Sequence, residues 1–144
     1  MSLPPSLKKA MTPFPYSIDL NAPVKEARRI MEEHGVHHLP VTEEHRLCGI
    51  ITHRDILAAL AGRKKRAHDD ALHVKEIYVD DPFVVELDAP LDEVLLTMAE
   101  RRIGSALVTR QGKLAGVFTT ADACRCFGQY LQETFPHSDG NDAA

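Results

Sequence analysis

Apolar residues follow two kinds of spacing along this chain, and the same order of spacings occurs twice. Leu91, Val94, Leu95 and Met98 fall at positions i, i+3, i+4 and i+7, which predicts an amphipathic helix. Short apolar runs, such as residues 114–118, have the length of buried strands. Each half of the chain is therefore predicted to contain, in order, a strand, a helix, two strands and a second helix.

Capping and turn residues set the predicted boundaries of these elements. In the first half, Asn21 is a good N-cap, Pro23 suits a first helical turn, and Gly35 suits a helix stop. The elements predicted for the first half are a strand over residues 16–19, a helix from Asn21 to Gly35, strands over residues 36–42 and 47–51, and a helix from Thr52. The elements predicted for the second half are a strand over residues 84–87, a helix capped by Asp88 with Pro90 in its first turn, strands over residues 105–109 and 114–118, and a helix from Thr119 through Leu131.

The two halves are an internal duplication. The segment at residues 49–55 has the sequence GIITHRD and the segment at residues 116–122 has the sequence GVFTTAD, so the offset is 122 − 55 = 67 residues. With that offset, residues 15–55 align with residues 82–122 without a gap, and 13 of the 41 pairs are identical. Repeats of about fifty residues are marginally stable alone, so we expect the two copies to fold against each other.

Composition and net charge argue against several classes of protein. The 144 residues carry a net charge of −4, which argues against a protein whose main task is gripping nucleic-acid backbones. No run of 18 apolar residues is present, so we expect no membrane-spanning helix. The three cysteines are an odd number, and Cys124 and Cys126 point away from each other on a helix. We therefore expect no disulfide framework and a reducing, cytoplasmic setting.

The Thr-x-x-Asp motif that begins the last helix of each half has two interpretations. One is structural, because Thr52 and Asp55 match a capping box and such signals are common. The other is functional, because a helix start favours phosphate and an aspartate one turn further on can accept both hydroxyls of a ribose. The motif occurs twice at matched positions, each time after an apolar run, which favours a nucleotide site. Capping and ligand binding can also coexist.

These features resemble a tandem pair of CBS domains, a family named after cystathionine β-synthase. The resemblance rests on the β-α-β-β-α order, on the sequences HLPV at residues 38–41 and GSALV at residues 104–108, and on the two Thr-x-x-Asp endings. It covers roughly residues 10–128. It implies an α+β fold in which two CBS repeats pack with pseudo-twofold symmetry, and clefts that hold adenosine-containing ligands such as AMP, ADP, ATP, S-adenosylmethionine or a dinucleotide. It also implies a homodimer.

The resemblance further implies which residues bind the ligand. Asp55 and Asp122 take the ribose hydroxyls, and adenine lies between the first and middle strands of a repeat. Thr52 and Thr119 lie at the ribose-phosphate end. The full set of implied ligand-binding residues is Thr52, His53, Arg54, Asp55, Thr119, Thr120, Asp122, Tyr16, Ser17, Ile18, His38, Leu39, Pro40, Phe83, Val84, Val85, Ser105 and Ala106.

The two implied sites are not equal in charge. The first has Arg54 directly before its aspartate, whereas the second has Ala121 there. An arginine is suited to phosphate, so we expect the first site to take the more highly charged ligand. The candidates to supply charge to the second site from elsewhere are Arg101, Arg102 and Arg110.

The predicted function is a regulatory module that senses an adenosine nucleotide and signals in trans to an unknown protein target. Neither catalysis, nor a metal, nor a catalytic cofactor is expected. The alternative is a dimeric interaction scaffold that keeps Thr-x-x-Asp only as helix caps, and a nucleotide-processing enzyme is a third hypothesis.

The predicted segments are a lead-in over residues 1–12, repeats over residues 13–60 and 77–128, a linker over residues 61–76 with a solvated basic run at residues 63–66, and a helix end with a disordered tail over residues 129–144.

Overall fold

The computed structural model describes residues 4–61 and 72–137. The helices are α1 (Leu7–Ala10), α2 (Val24–His34), α3 (His53–Ala61), α4 (Leu91–Arg101) and α5 (Thr120–Thr134), and a 3-10 turn spans Val74–Glu76. The strands are β1 (Thr12–Pro13), β2 (Ile18–Asp19), β3 (His38–Glu43), β4 (Arg46–Thr52), β5 (Val84–Glu86), β6 (Ser105–Arg110) and β7 (Lys113–Thr119). The predicted order of strand, helix, two strands and helix is present in both repeats.

Each repeat builds its own sheet, and the two sheets share one pairing scheme. The first sheet has the order β2-β3-β4, and the second has the order β1-β7-β6-β5. In both, the first strand of the repeat pairs in parallel with the next, and the last two strands are antiparallel. His38 lies opposite Thr52 as Ser105 lies opposite Thr119, which is the same register in both copies. The predicted α+β fold with two repeats is confirmed.

Two helices begin later than predicted, because proline occupies the N-cap position. Pro23 and Pro90 hold that position with extended backbone, and neither helix has a side-chain cap hydrogen bond. The Asn21 N–H instead donates to Asp19 Oδ1 at 2.8 Å, which closes the turn before α2. The predicted N-caps at Asn21 and Asp88 are therefore wrong.

Each repeat lends a short segment to the sheet of the other repeat. Thr12 of β1 lies opposite Val117 of β7, and Val79 lies opposite Ile50 of β4. The two pairs are related by the same 67-residue offset, so the duplication extends further towards the N-terminus than the aligned segments. We call residues 7–13 the first arm and residues 74–80 the second arm.

The arms are buried in the repeats with which they pair. Leu7 of the first arm is 1% exposed and belongs to the core of the second repeat, together with Val108 and Phe118. Val74 of the second arm is fully buried in the core of the first repeat, with Leu39. Each core therefore contains residues from both copies, and neither core is complete within one repeat.

A third apolar cluster joins the two sheets. Ile50, Leu107 and Val117 are buried together, and Leu47 and Leu114 pack against them. Ile50 and Val117 are matched positions in β4 and β7, so equivalent surfaces of the two repeats meet here, as a pseudo-twofold arrangement requires.

Some predicted segments have structure that the sequence pattern did not indicate. Residues 7–10 of the predicted lead-in form α1, and residues 72–76 of the predicted linker pack into the first core. The predicted continuation of the last helix through Leu131 is confirmed. The basic run at residues 63–66 and most of the predicted linker lie outside the described residues. The disordered tail was predicted from His137, and all of it after that residue also lies outside them.

We predict that Gly49→Ala destabilises the protein by about 1–3 kcal/mol, because the second arm passes directly over this residue. A Cβ atom at position 49 would lie 2.1 Å from the main-chain oxygen of Val79 and 2.9 Å from the Tyr78 ring. Gly128→Ala in α5 is the control, since nothing lies within 4 Å of a Cβ there and alanine is the better helix residue. Urea denaturation measures both free energies of unfolding, and equal values would contradict the close arm contact.

Candidate ligand-binding site

Both Thr-x-x-Asp motifs form reciprocal helix caps. In the first repeat, the Thr52 N–H donates to Asp55 Oδ2 at 2.9 Å and the Asp55 N–H donates to Thr52 Oγ1 at 3.1 Å. In the second, the Thr119 N–H donates to Asp122 Oδ2 at 2.9 Å and the Asp122 N–H donates to Thr119 Oγ1 at 3.3 Å. The structural interpretation of the motif is confirmed in both copies. Each cap uses one carboxylate oxygen, which leaves the other for further contacts.

An open cleft of about 1790 Å³ lies between the repeats, beside both helix starts. Thr52 and Thr119 both line it, as do the aromatic residues Tyr16 and Phe83, which occupy matched positions before β2 and β5. Pockets for small molecules usually measure roughly 300–1,000 Å³. The cleft is therefore large enough for a nucleotide, and both repeats contribute to its walls.

The structure brings ten of the eighteen predicted ligand-binding residues to this cleft. They are Tyr16, His38, Thr52, His53, Arg54, Asp55, Phe83, Ser105, Thr119 and Thr120. The eight that do not line it are Ser17, Ile18, Leu39, Pro40, Val84, Val85, Ala106 and Asp122. Five of these eight are buried. Four of the five, Ile18, Leu39, Pro40 and Ala106, are apolar residues of the strands, so their side chains support the cleft wall from behind.

The ends of the two arms and the residues directly after them line the cleft, although the sequence pattern did not indicate this. Pro13 and Phe14 line it next to the second repeat, and Val79 and Asp81 line it next to the first. The one sequence feature that could have indicated these residues is the 67-residue offset between the repeats. It relates Thr12 to Val79 just as it relates the aligned segments. Two-residue strands are too short for a periodic pattern to show.

The family of the two repeats is decided by their match to a known domain. The family model for the CBS domain matches residues 7–62 and, again, residues 74–128. The chain belongs to the CBS domain family. Both matches begin where the arms begin, so each CBS repeat includes the segment that it lends to the other.

Known proteins of this family are similar to the chain over most of its length. L-aspartate semialdehyde sulfurtransferase of Methanocaldococcus jannaschii is 32% identical over 124 residues, which are 85% of this chain and 23% of the relative. Inosine-5′-monophosphate dehydrogenase of Korarchaeum cryptofilum is 37% identical over 100 residues, which are 69% of this chain and 19% of the relative. The chain thus spans less than a quarter of the length of these curated relatives.

A solved CBS domain pair has the same fold. The pair of protein MJ0100, crystallised in complex with 5′-methylthioadenosine and S-adenosyl-L-methionine, superposes with a TM-score of 0.78. It is 29% identical, and the superposition covers 89% of this chain and 99% of that chain.

The first CBS repeat presents more basic side chains to the cleft than the second. Four of its cleft residues are basic or titratable where the second repeat has small neutral residues. The matched pairs are His37/Gly104, His38/Ser105, His53/Thr120 and Arg54/Ala121. The His53 N–H donates to the His37 carbonyl oxygen at 2.9 Å, and the two rings lie 5.3 Å apart between centroids. Arg54 gives this wall a permanent positive charge.

Two arginines bring charge to the second CBS repeat. Arg101 and Arg102 both line the cleft, and the Arg101 guanidinium lies 5.2 Å from the centroid of the Phe83 ring. Arg102 has a φ of 56°, the left-handed conformation that Gly35 adopts with a φ of 64° at the matched end of α2. Arg110, the third arginine considered from the sequence, ends β6 and does not line the cleft.

The described ranges, residues 4–61 and 72–137, contain neither a metal site nor a membrane-spanning helix. No group of three or more His, Cys, Asp and Glu residues within them is placed to hold a metal ion. Cys48, Cys124 and Cys126 are free thiols. None of the helices in these ranges is long and apolar enough to cross a membrane.

We predict that His38 makes the protein less stable as the pH falls. Burial lowers the pKa of His38 below its ordinary value, His37 adds to the effect, and Asp55 and Asp122 oppose it. The folded state therefore takes up this proton less readily than the unfolded state, in which the pKa is about 6.5. The free energy of unfolding is unaffected by His38 above that pH, and it decreases as the pH falls from there towards the lowered pKa.

Urea denaturation between about pH 5 and pH 8, a range that spans the ordinary histidine pKa, measures this decrease in the free energy of unfolding. His38→Asn should remove part of it, because asparagine does not titrate. His45→Asn, in the exposed turn between β3 and β4, is the control and should retain the decrease. An unchanged pH dependence in His38→Asn would show that the half-buried His38 imidazole is not its source.

Proposed function

We propose that this CBS pair is a regulatory module that senses an adenosine-containing small molecule bound in the cleft. The observation that carries the proposal is that one carboxylate oxygen of Asp55 is free to bind a ligand. Its Oδ2 accepts the Thr52 N–H, whereas its Oδ1 has no hydrogen-bond partner among the residues that the structure describes. Asp55 is half-buried and lines the cleft, so this oxygen is available for ribose hydroxyls.

The start of α3 supplies the remainder of a nucleotide site. The free N–H groups and the dipole of a helix start favour an anion. His53 and Arg54 line the cleft at this helix start and would hold phosphate by charge-assisted hydrogen bonds. Val79 and Pro82 line the same cleft and offer an apolar surface for the adenine ring.

Two observations support an adenosine ligand and its class. The similar CBS pair of protein MJ0100 was solved with 5′-methylthioadenosine and S-adenosyl-L-methionine, both of which contain adenosine. The basic wall of the first repeat, with His37, His53 and Arg54, favours a ligand that also carries phosphate. We therefore propose AMP, ADP or ATP as the ligand class.

Regulation would act through the packing of the two repeats. The contact between their sheets centres on Ile50, Leu107 and Val117, a small surface beside the cleft. A ligand shifts such a packing equilibrium only through different affinities for the two arrangements. We propose that a protein partner responds to this shift in trans, that the module itself is not catalytic, and that its free thiols belong in a reducing cytoplasm.

An interaction scaffold is the second candidate, and an exposed apolar stripe at the end of α5 favours it. Phe127, Tyr130, Leu131 and Phe135 follow helical spacing and are 62%, 40%, 40% and 68% exposed. Exposed apolar patches of this kind mark protein contacts, so we propose that the pair forms a homodimer. Dimerisation is compatible with ligand sensing, whereas a scaffold without a ligand would not respond to nucleotides.

We predict that at least one of AMP, ADP, ATP, S-adenosylmethionine and 5′-methylthioadenosine raises the melting temperature. A ligand at a hundred times its Kd stabilises by about 2.7 kcal/mol, which corresponds to roughly 5–10 °C for a chain of this length. Asp55→Asn should abolish the rise, because the amide can still accept the Thr52 N–H but lacks the charge that favours ribose hydroxyls.

Asp92→Asn is the matched control, since Asp92 is exposed on α4 outside the cleft. This variant should keep the full rise. A flat response to every ligand, with light scattering showing a dimer, would favour the scaffold over the sensor.

We predict that Arg54→Ala weakens AMP and ATP binding by roughly tenfold. A hydrogen bond to a charged group contributes about 1.5–3 kcal/mol, and exposure places Arg54 at the low end of that range. Binding of 5′-methylthioadenosine, which carries no phosphate, should not change. Arg46→Ala, an exposed arginine of β4 outside the cleft, is the control. Isothermal titration calorimetry measures each Kd, and an equal loss for 5′-methylthioadenosine would contradict the phosphate contact.

A further inference from the structure

The aspartate of the second CBS repeat is held by more contacts than its helix cap supplies. Asp122 is 4% exposed, and its Oδ2 accepts hydrogen bonds from the N–H and the hydroxyl of Thr119. Its Oδ1 accepts a hydrogen bond from Arg125 Nη2 at 2.6 Å and one from the Thr12 hydroxyl at 3.4 Å. Both carboxylate oxygens are therefore engaged, and no oxygen of Asp122 is open to a ribose.

The first CBS repeat lacks the residues that make these extra contacts. The position matched to Arg125 is Ala58, and the position matched to Thr12 is Val79. Neither side chain can donate a hydrogen bond. Asp55 therefore has only its own cap contacts among the described residues.

The two aspartates also face different spaces. Asp55 lines the cleft between the repeats, whereas Asp122 lines a separate pocket of about 240 Å³ between α1 and α5. Arg125 lines that second pocket as well. Thr119 does line the cleft, so the start of α5 reaches the cleft while its aspartate is turned away from it.

We propose that Arg125 and Thr12 form a latch that closes the second site, so that this CBS pair binds one adenosine-containing ligand per chain, at Asp55. Arg125 is a positioning residue: it contributes no contact to the ligand and keeps the carboxylate of Asp122 out of the cleft. The location of the ligand rests on the proposed function, whereas the latch is a property of the free protein.

The latch can be tested without any ligand. Arg125→Ala and Asp122→Asn should each lower the melting temperature, and the double variant should lower it by less than the sum of the two, because both remove the same contact. Asp55→Asn combined with Arg125→Ala is the control, and there the two changes should add. Additive effects of Arg125→Ala and Asp122→Asn would overturn the latch, whether or not a ligand binds.

Stoichiometry tests the consequence for binding. In isothermal titration calorimetry with AMP and with 5′-methylthioadenosine, the wild-type chain should bind one molecule and Arg125→Ala should bind two. The reverse change, Ala58→Arg, places the latch arginine beside Asp55 and should weaken binding at least tenfold. Two molecules bound by the wild type, or one by Arg125→Ala, would overturn the proposal. No heat with either compound in any variant would contradict the proposed function instead, and the melting-temperature comparison would then decide the latch.

Discussion

The exchange of arms between the two CBS repeats is the contact on which the rest of the fold depends. Ile50 and Val79 exchange two main-chain hydrogen bonds, of 3.0 and 2.8 Å, and β1 pairs with β7 in the same way on the other side. The arms lie so close to the sheets that a side chain at Gly49 or Gly116 would collide with them. Each arm also fills part of the core of the opposite repeat, so each repeat completes the core of the other, and the ends of both arms line the cleft between them.

The helix caps and the candidate ligand site use the same side chains for different purposes. In the first repeat, the cap hydrogen bonds with Thr52 fix the position of Asp55 and occupy only one of its oxygens. A carboxylate that is already ordered loses little further conformational freedom when a ligand binds. The structural and functional interpretations of the motif are therefore complementary at Asp55, and what differs between the repeats is the use of the second oxygen.

Duplication supplied two similar surfaces, and substitutions at matched positions made them different. The first repeat concentrates histidines and Arg54 on its side of the cleft, whereas the second places Arg101 and Arg102 there. Arg102 holds a left-handed conformation in which a residue with a Cβ atom pays a cost of about 1–2 kcal/mol, and the matched Gly35 does not. Placing an arginine at this position puts a positive charge at the cleft that the first repeat lacks there.

The sequence by itself determined the duplication, the order of the elements, the CBS family and the cap motifs, because each is a local pattern or a comparison at one fixed offset. The tertiary structure alone decided three features. Two-residue strands have no periodicity, so the arms became visible only once their partners were in place. The helices α2 and α4 begin after Pro23 and Pro90 rather than at Asn21 and Asp88. The Asn21 N–H is used in the preceding turn, where it donates to Asp19. Asp55 and Asp122 stand in the same Thr-x-x-Asp motif, and part of their difference is local, because Arg125 lies only three residues after Asp122. The other part is the contact from Thr12, which is 110 residues away from Asp122 along the chain. The packing of β1 against β7 brings those two residues together, and no local pattern records such a contact.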